Sequence, residues 1–197
     1  MTKTWAIILA AGESKRMGSP KLLLPFGDMT VIEKVISNVK SSKVDNILVV
    51  LGENGDKIED RIRTYGIKYC YNDYYKDGML SSVRCGFRNI PAKYRAVLVF
   101  QGDQPLISPV SINVIIDSFS SSCKGIVIPV HDKKRGHPVM IGRKYHDEIE
   151  KLDPGTGLKG LAEKFPEDVF EIEVDDPGIL KDMDTLDEYR ELINQIH

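Results

Sequence analysis

Short apolar segments alternate along the chain with segments whose apolar residues recur at helical spacing. The runs at 46–51 (NILVVL) and 96–100 (AVLVF) carry apolar residues on both strand faces, which is typical of strands covered on both sides in a parallel sheet. Valines spaced four residues apart over 31–39 instead indicate an amphipathic helix, which begins at a capping box formed by Thr30 and Glu33. The pattern therefore predicts an α/β protein.

The same criteria predict the remaining elements. The predicted strands are 5–9, 46–51, 68–71, 96–100, 125–130, 138–141 and 169–174. The predicted helices are 30–40, 56–64, 78–87, one starting at 108–109, 158–164 and one starting at 185, where Thr185 and Glu188 form a second capping box. Strands that alternate with helices favour a three-layer α/β/α fold around a mostly parallel, Rossmann-like twisted sheet, and the short run 138–141 is expected to form a small antiparallel portion. A length of 197 residues predicts a single domain, residues 1–197.

Composition narrows the function classes. There are 27 basic and 29 acidic residues, which give a net charge of −2, so we expect neither a nucleic-acid partner nor a membrane surface. Three widely spaced cysteines, Cys70, Cys85 and Cys123, form no C-x-x-C pair, and this predicts free thiols rather than a zinc site or a disulfide framework. No leader peptide and no apolar run of membrane-spanning length is recognisable, so a cytoplasmic protein is expected.

The first predicted strand, 5–9, leads into a loop of small residues followed by cations. Small side chains leave backbone N–H groups accessible, and Lys15 adds to the positive charge; together these features predict a binding site for a nucleotide phosphate tail. The alternative is an ordinary strand–loop–helix connection with solvated lysines. Neither G-x-G-x-x-G nor G-x-x-x-x-G-K-[ST] is present, which argues against a Rossmann dehydrogenase or a P-loop enzyme. The predicted nucleotide-binding residues of the loop are Leu9, Ala10, Ala11, Gly12, Arg16 and Lys21.

Carboxylates follow two other segments. Asp103 comes directly after a central strand, where a carboxylate next to phosphate oxygens suits Mg²⁺, and Gly102 would allow a ligand or backbone to approach closely. If the chain is extended before Thr185, Asp182 and Asp184 share one face. The alternatives are a turn-forming role for Asp103 and a simple interaction of the later acids with the helix dipole.

Together these segments resemble the MobA-like NTP transferase family, whose pattern is L-A-(A/G)-G, R-M-G and P-K, followed later by G-D-x-P and D-x-D-T. The sequence carries all of them in that order. The resemblance implies that Asp103 is catalytic and binds the metal, and that Arg16 and Lys21 act in catalysis by holding the β and γ phosphates. It also implies a second metal ligand from the D-x-D-T motif, either Asp182 or Asp184, of which we favour Asp184.

Two further segments support the resemblance. Ser81 and Ser82 lie in G-M-L-S-S, which is similar to the family segment that contacts base and ribose. The alternative is that these serines cap the helix with their hydroxyl groups. Arg84 follows in the same segment and could serve the same site, but an ordinary surface arginine is an equally good interpretation. Residues 135–139 (RGHPV) resemble the molybdenum cofactor cytidylyltransferase branch, in which this segment lies on the acceptor side. His137 is thus a candidate acceptor-binding residue, although a plain surface histidine is the alternative.

That branch transfers CMP from CTP to a molybdopterin-type molybdenum cofactor and releases pyrophosphate, with Mg²⁺ as cofactor. The implied partners are CTP and a phosphorylated small molecule, molybdopterin, together with a molybdoenzyme or a chaperone that receives the product. Ala11 stands where the guanylyltransferase branch has Gly, and a methyl group there would disfavour a purine. The alternatives are transfer to a sugar or alcohol phosphate, a GTP-using guanylyltransferase, and a non-catalytic nucleotide sensor.

Overall fold

A long sheet forms the centre of the molecule. The computed structural model describes residues 3–194, without the side chain of Arg16. The strands of the described residues are β1 (Thr4–Ala10), β2 (Pro25–Phe26), β3 (Met29–Thr30), β4 (Asn46–Leu51), β5 (Lys68–Tyr71), β6 (Ala96–Gln101), β7 (Ile126–His131), β8 (Lys134–Arg135), β9 (Val139–Gly142) and β10 (Val169–Glu173). The helices there are α1 (Val31–Lys40), α2 (Gly55–Ile62), α3 (Met79–Arg88), α4 (Pro109–Ser121), α5 (His146–Lys151), α6 (Lys159–Lys164) and α7 (Leu186–Asn194). Short 3₁₀ turns connect several of them.

The sheet order is β10-β7-β9-β6-β1-β4-β5, with β8 paired to β7 and with β2 and β3 forming a separate hairpin. Strand β1 runs parallel to β4 and β6, β4 runs parallel to β5, and β7 runs parallel to β10. Strand β9 is antiparallel to both of its neighbours, β6 and β7. The predicted mostly parallel sheet with a small antiparallel portion is therefore confirmed.

Alternate side chains of β1 enter two different cores. Ala6 and Ile8 pack on the face that is covered by α1, α2, α4 and α7. Trp5 and Ile7 pack on the opposite face, which is covered by α3, α5 and α6. All four side chains are essentially buried, which explains why residues 5–8 of the first strand are all apolar, and the three-layer prediction is confirmed. Within residues 3–194, no helix has both the length and the apolar content needed to cross a bilayer.

Both predicted capping boxes are present. The Glu33 carboxylate accepts hydrogen bonds from the backbone N–H of Thr30 (2.8 Å) and from its hydroxyl (2.7 Å). The Glu188 carboxylate accepts from the backbone N–H groups of Thr185 (2.8 Å) and Asp184 (2.9 Å). The cap that starts α7 therefore also positions the backbone of Asp184.

The predicted helix over 56–64 is shorter in the structure. It ends at Ile62, after which Arg63–Tyr65 tightens into a 3₁₀ turn that leads to Gly66 at φ 63°. A left-handed residue of this kind ends a helix because the hydrogen-bond ladder cannot continue through it.

The strand order creates a crevice. From β1 the chain adds β4 and then β5 on one side, and it returns to place β6 on the other side of β1. The loops that leave the carboxyl ends of β1 and β6 consequently turn in opposite directions, and open α/β sheets bind ligands at such a switch point.

Candidate active site

A cleft of about 290 Å³ lies at this switch point. Gly12, Glu13 and Ser14 line it, and in the described part of the chain their backbone N–H groups donate no hydrogen bond, so they remain available to a ligand. The residues lining the cleft are Leu9, Ala11, Gly12, Glu13, Ser14, Lys21, Leu22, Tyr75, Lys76, Gly78, Met79, Ser82, Gln101 and Asp103.

Lys21 joins the first loop to both predicted carboxylate segments. Its ammonium contacts a carboxylate oxygen of Asp103 and lies 2.9 Å from Oδ1 of Asp184. The backbone N–H of Lys21 donates to the hydroxyl of Ser14 (3.1 Å), which ties the ends of the loop together. Asp103 lies 82 positions and Asp184 lies 163 positions after Lys21 in the sequence, and the fold brings the three side chains together.

The cluster is partly shielded from water, because the side chains of Lys21 and Asp103 are only 14% and 13% exposed. Burial lowers the pKa of Lys21, but the carboxylates of Asp103 and Asp184 outweigh it and raise that pKa above its ordinary value, so the ammonium remains charged at neutral pH. Burial, followed by the negative charges of Asp103 and Asp184, raises the pKa of Asp182. These shifts show that negative charge is crowded beside the cleft.

The donor set suits a divalent cation. Oδ1 of Asp103 is buried and makes no hydrogen bond within the described residues, although its partner oxygen is held by Lys21. A carboxylate oxygen left without a partner next to further aspartates matches the all-oxygen chemistry that Mg²⁺ prefers. Over residues 3–194, no group of three or more His, Cys, Asp or Glu side chains is already gathered around one point, and Lys21 lies between two of the carboxylates.

Two glycines allow the distant loops to meet. A Cβ on Gly178 would lie 2.7 Å from the backbone of Leu106, in the loop after Asp103. A Cβ on Gly136 would lie 2.5 Å from the carbonyl oxygen of Ile179, and that same oxygen accepts from the N–H of His137 (3.0 Å). Distances this short exclude any side chain, so the 3₁₀ turn Pro177–Leu180 packs between the two loops.

A second cavity of about 360 Å³ adjoins the first, and Met79 lines both. Its wall is mainly aliphatic, with His137, Arg135, Thr156 and Lys159 as the main polar contributors. Burial lowers the pKa of His137 below its ordinary value, so the imidazole is neutral at pH 7, and its Nδ1 is buried with no hydrogen-bond partner among the described groups.

Not every predicted residue lines a cavity. Ser82 is buried at the cleft wall, where its hydroxyl accepts from the amide of Asn72 (3.0 Å). The hydroxyl of Ser81 instead lies 2.8 Å from the carbonyl oxygens of both Tyr74 and Gly78, to which it donates, and Ser81 lies outside the cleft. Ala10 is fully buried in the core, and the N–H of Gly102 donates to Leu9 O (2.9 Å), which makes Gly102 a backbone contact between strands.

Two arginines, Arg16 and Arg84, lie in the segments that were predicted to bind the nucleotide. The side chain of Arg16 lies outside the described part of the structure, so its predicted phosphate contact stays a prediction. Arg84 donates to the carbonyl oxygens of Ile149 (3.3 Å) and Leu152 (2.6 Å) and thereby fastens α3 to α5. It has a structural role that its sequence context did not indicate.

Ala11 is 5% exposed and lines the cleft. A Cβ built on Gly52 would lie 2.8 Å from the methyl carbon of Ala11, so this methyl packs towards the end of β4. Most of the methyl surface is therefore covered by protein rather than presented to the cleft.

Several residues of the cleft wall were not predicted from the sequence. Tyr75, Lys76 and Met79 come from the segment before and at the start of α3, and the Tyr75 hydroxyl donates to Glu53. The segment before Gly78 is rich in tyrosine, but no motif or spacing in the sequence linked it to the first loop.

Comparison with known proteins shows similarity over most of the chain. Residues 6–169 match the family model described as MobA-like NTP transferase domain. The molybdenum cofactor cytidylyltransferase of Escherichia coli (strain K12) is 25% identical over 93% of this chain and 92% of that protein. The bifunctional protein GlmU of Francisella tularensis is 30% identical over 73% of this chain, but the match spans only 30% of GlmU.

Solved structures repeat the fold over nearly the whole chain. The crystal structure of Rv0371c from Mycobacterium tuberculosis is 26% identical and superimposes with a TM-score of 0.87 over 98% of both chains. A second structure of that protein, in complex with manganese, superimposes with a TM-score of 0.78 at 24% identity.

Proposed function

The chain belongs to the MobA-like NTP transferase family and is a nucleotidyltransferase, and on that premise we propose that it transfers the CMP of CTP to a molybdopterin-type molybdenum cofactor and releases pyrophosphate. The observation that carries the proposal is the meeting of Lys21, Asp103 and Asp184 beside a cleft whose wall offers free backbone N–H groups. A bound triphosphate needs both a positively charged side chain, here Lys21, and backbone N–H donors.

In this proposal Lys21 and the N–H groups of Gly12, Glu13 and Ser14 bind the phosphate tail. Arg16 is assigned to the same task from the family motif. Their fixed positive charges and dipoles stabilise the negative charge that develops as pyrophosphate leaves, and they need little reorganisation during the reaction. No covalent intermediate with the protein is required, because the acceptor phosphate can attack the α-phosphorus in line.

Asp103 and Asp184 would hold a divalent cation, Mg²⁺ in our proposal, and Asp182 would add negative charge nearby. When bound, the cation would supply a positive charge that neutralises the phosphate oxygens. The manganese complex of the structural relative supports a divalent metal in this fold. For such an ion to bind, the ammonium of Lys21 must give up at least one carboxylate, and the arriving phosphates offer it new partners.

The acceptor is assigned to the second cavity. His137 and Arg135 stand at its polar end, and its aliphatic wall suits the body of a flat heterocycle better than a sugar rich in hydroxyls. Because Met79 borders both cavities, an acceptor there lies next to the nucleotide site, as direct transfer between two bound substrates requires. Similarity to the cytidylyltransferase of E. coli favours molybdopterin among acceptors of this shape.

CTP is proposed as the donor from the similarity to the cytidylyltransferase of E. coli, with Ser82 as the base or ribose contact and Ala11, whose methyl is largely covered, as a minor contributor. Ser82 accepts from Asn72, so its own hydroxyl proton remains available to a base or ribose oxygen. Ser82 is therefore the better candidate of the two predicted serines.

The test is pyrophosphate release by the purified protein with each of the four nucleoside triphosphates against molybdopterin, a sugar phosphate and an alcohol phosphate. We expect turnover with CTP and molybdopterin in the presence of Mg²⁺, with a cytidylylated product identified by mass. Turnover only with a sugar or alcohol phosphate would overturn the acceptor assignment. Tight nucleotide binding without turnover on any acceptor would instead favour a nucleotide sensor.

A further inference from the structure

Two cysteines lie together beside the nucleotide cleft. The sulfur atoms of Cys70, on β5, and Cys85, on α3, are 3.7 Å apart. Residues 70 and 72 project to the same side near the end of β5 because side chains alternate along a strand. On that side Cys70 contacts Cys85 and Asn72 contacts Ser82, one helical turn earlier in α3.

We propose that Cys70 and Cys85 are a peroxide-sensitive thiol pair, in which Cys85 reacts with hydrogen peroxide and Cys70 then closes a disulfide. An S–S bond is about 2.05 Å long, so the two sulfur atoms need to approach by about 1.7 Å, within the reach of small side-chain rotations. Both side chains are half-buried, and Cys85 also lines a solvent-filled groove at the surface of α3.

The surroundings distinguish the two thiols. The contact with the sulfur of Cys70, together with the nearby guanidinium of Arg88, lowers the pKa of the Cys85 thiol against the effect of burial. The same contact, together with burial, raises the pKa of Cys70. Thiolates and not thiols attack peroxides, and Cys85 lines the surface groove, whose described lining does not include Cys70. Cys85 is therefore the attacking group and Cys70 is the resolving group.

The reaction balances in two steps. The Cys85 thiolate attacks one peroxide oxygen, the O–O bond breaks, and Cys85 becomes a sulfenic acid while hydroxide leaves and takes up a proton to form water. The sulfur of Cys70 then attacks the sulfur of Cys85, the S–O bond breaks, and the oxygen leaves as a second water that carries the thiol proton. The sulfur pair loses two electrons, which reduce the peroxide.

The test uses the folded full chain treated with a small excess of hydrogen peroxide at pH 7 and then digested with trypsin. Cleavage after Lys68, Lys76, Arg84 and Arg88 places Cys70 and Cys85 on separate peptides. We expect these peptides to be joined, with a loss of two hydrogen atoms, and to separate again when a reductant is added.

Cys123 is the internal control, because it is exposed. The free thiol of Cys85 should be lost before that of Cys123, because the neighbouring sulfur of Cys70 and the guanidinium of Arg88 favour the Cys85 thiolate. In urea that preference should disappear, because the native contact between the two thiols is then lost.

Two variants separate the roles. In Cys70→Ser, Cys85 should accumulate as a sulfenic acid that a 1,3-diketone probe can trap, and in Cys85→Ser, Cys70 should stay reduced. Oxidation of Cys85 in the parent chain with no link to Cys70 would overturn the proposal. A link from either cysteine to Cys123 instead, or a Cys85 that reacts no faster than Cys123, would also overturn it.

Discussion

The two cavities are built by different means. The first is made of loop backbone and charge, with Lys21 between Asp103 and Asp184 and with loop N–H groups that donate no hydrogen bond among the described residues. The second is an apolar wall with a few polar groups at its edge. The first offers charge and backbone donors that suit the phosphate tail common to nucleoside triphosphates, and in our proposal the second holds the body of the acceptor.

The difference indicates where specificity resides. Charge and backbone dipoles bind a polyphosphate strongly but distinguish bases poorly, because they contact only the common tail. An apolar pocket selects by size and shape, because it excludes groups too large for it and binds smaller ones less tightly. Substitutions in the first cavity should therefore stop the reaction for every acceptor, whereas substitutions in the second should change which acceptor is used.

The most severe test of this contrast is Asp103→Asn, which keeps the size of the side chain and removes its charge. We expect turnover to fall by about 10²- to 10³-fold, the usual cost of losing one preorganised electrostatic contact in the transition state. Pyrophosphate release measured with saturating CTP and Mg²⁺ would show it. The matched control is Asp117→Asn on the exposed face of α4, where Asp117 only pairs with Lys43. A near-parental rate for a folded Asp103→Asn would remove the charged cluster from the mechanism.

Replacing Lys21 with Met should weaken the binding of CTP by about 10- to 100-fold, since a hydrogen bond to a charged group contributes about 1.5–3 kcal/mol. Isothermal titration with the non-reactive methylene analogue of CTP measures this without turnover. Lys15→Met provides the comparison, because Lys15 lies in the same loop but is 75% exposed and pairs with Glu13. Equal losses in the two variants would mean that general charge, rather than the placed ammonium, attracts the nucleotide.

His137→Ala tests the second cavity. Its neutral imidazole offers one hydrogen bond, so the KM for the acceptor should rise by up to about tenfold while CTP affinity stays the same. Steady-state kinetics with varied acceptor, combined with a CTP titration, separates the two. A loss of CTP affinity in the folded variant would show that the cavities act as one.

The smallest effect is expected from Ala11→Gly. Because the methyl of Ala11 packs beside Gly52 and is largely covered, removing it should narrow the preference for CTP over GTP by about threefold or less. Competition between the two nucleotides for one site measures the ratio. A change of a hundredfold would place base selection in the first loop and contradict the division between the cavities.

Much of the fold follows directly from local patterns. Strands that are apolar at every position predicted a sheet covered on both faces, and the Thr185–Glu188 capping box predicted where α7 begins. Such features depend on neighbours in sequence, so the sequence contains the information. The termination of α2 at Ile62 depended on a left-handed turn that helical periodicity does not report.

The site was less predictable because its neighbours are distant in sequence. That Asp103 and Asp184 share one lysine depends on the packing of the turn Pro177–Leu180 between two loops. Ser81 and Ser82 are chemically identical and adjacent, and only the orientation of α3 determines which of them reaches the cleft. Likewise, nothing near Arg84 in sequence indicates its partners in α5.

The reversed direction of β9 has a consequence for engineering. Because β9 is antiparallel to β6, the segment that precedes β9 lies at the same end of the sheet as the loop that follows β6 and carries Asp103. Residues 132–138 connect two strands of the sheet, and within them β8 pairs with β7 while Gly136 and His137 fit closely against Ile179. A graft of this segment from a relative that uses another acceptor therefore has to carry the turn Pro177–Leu180 with it if the transferase is to fold and change its products.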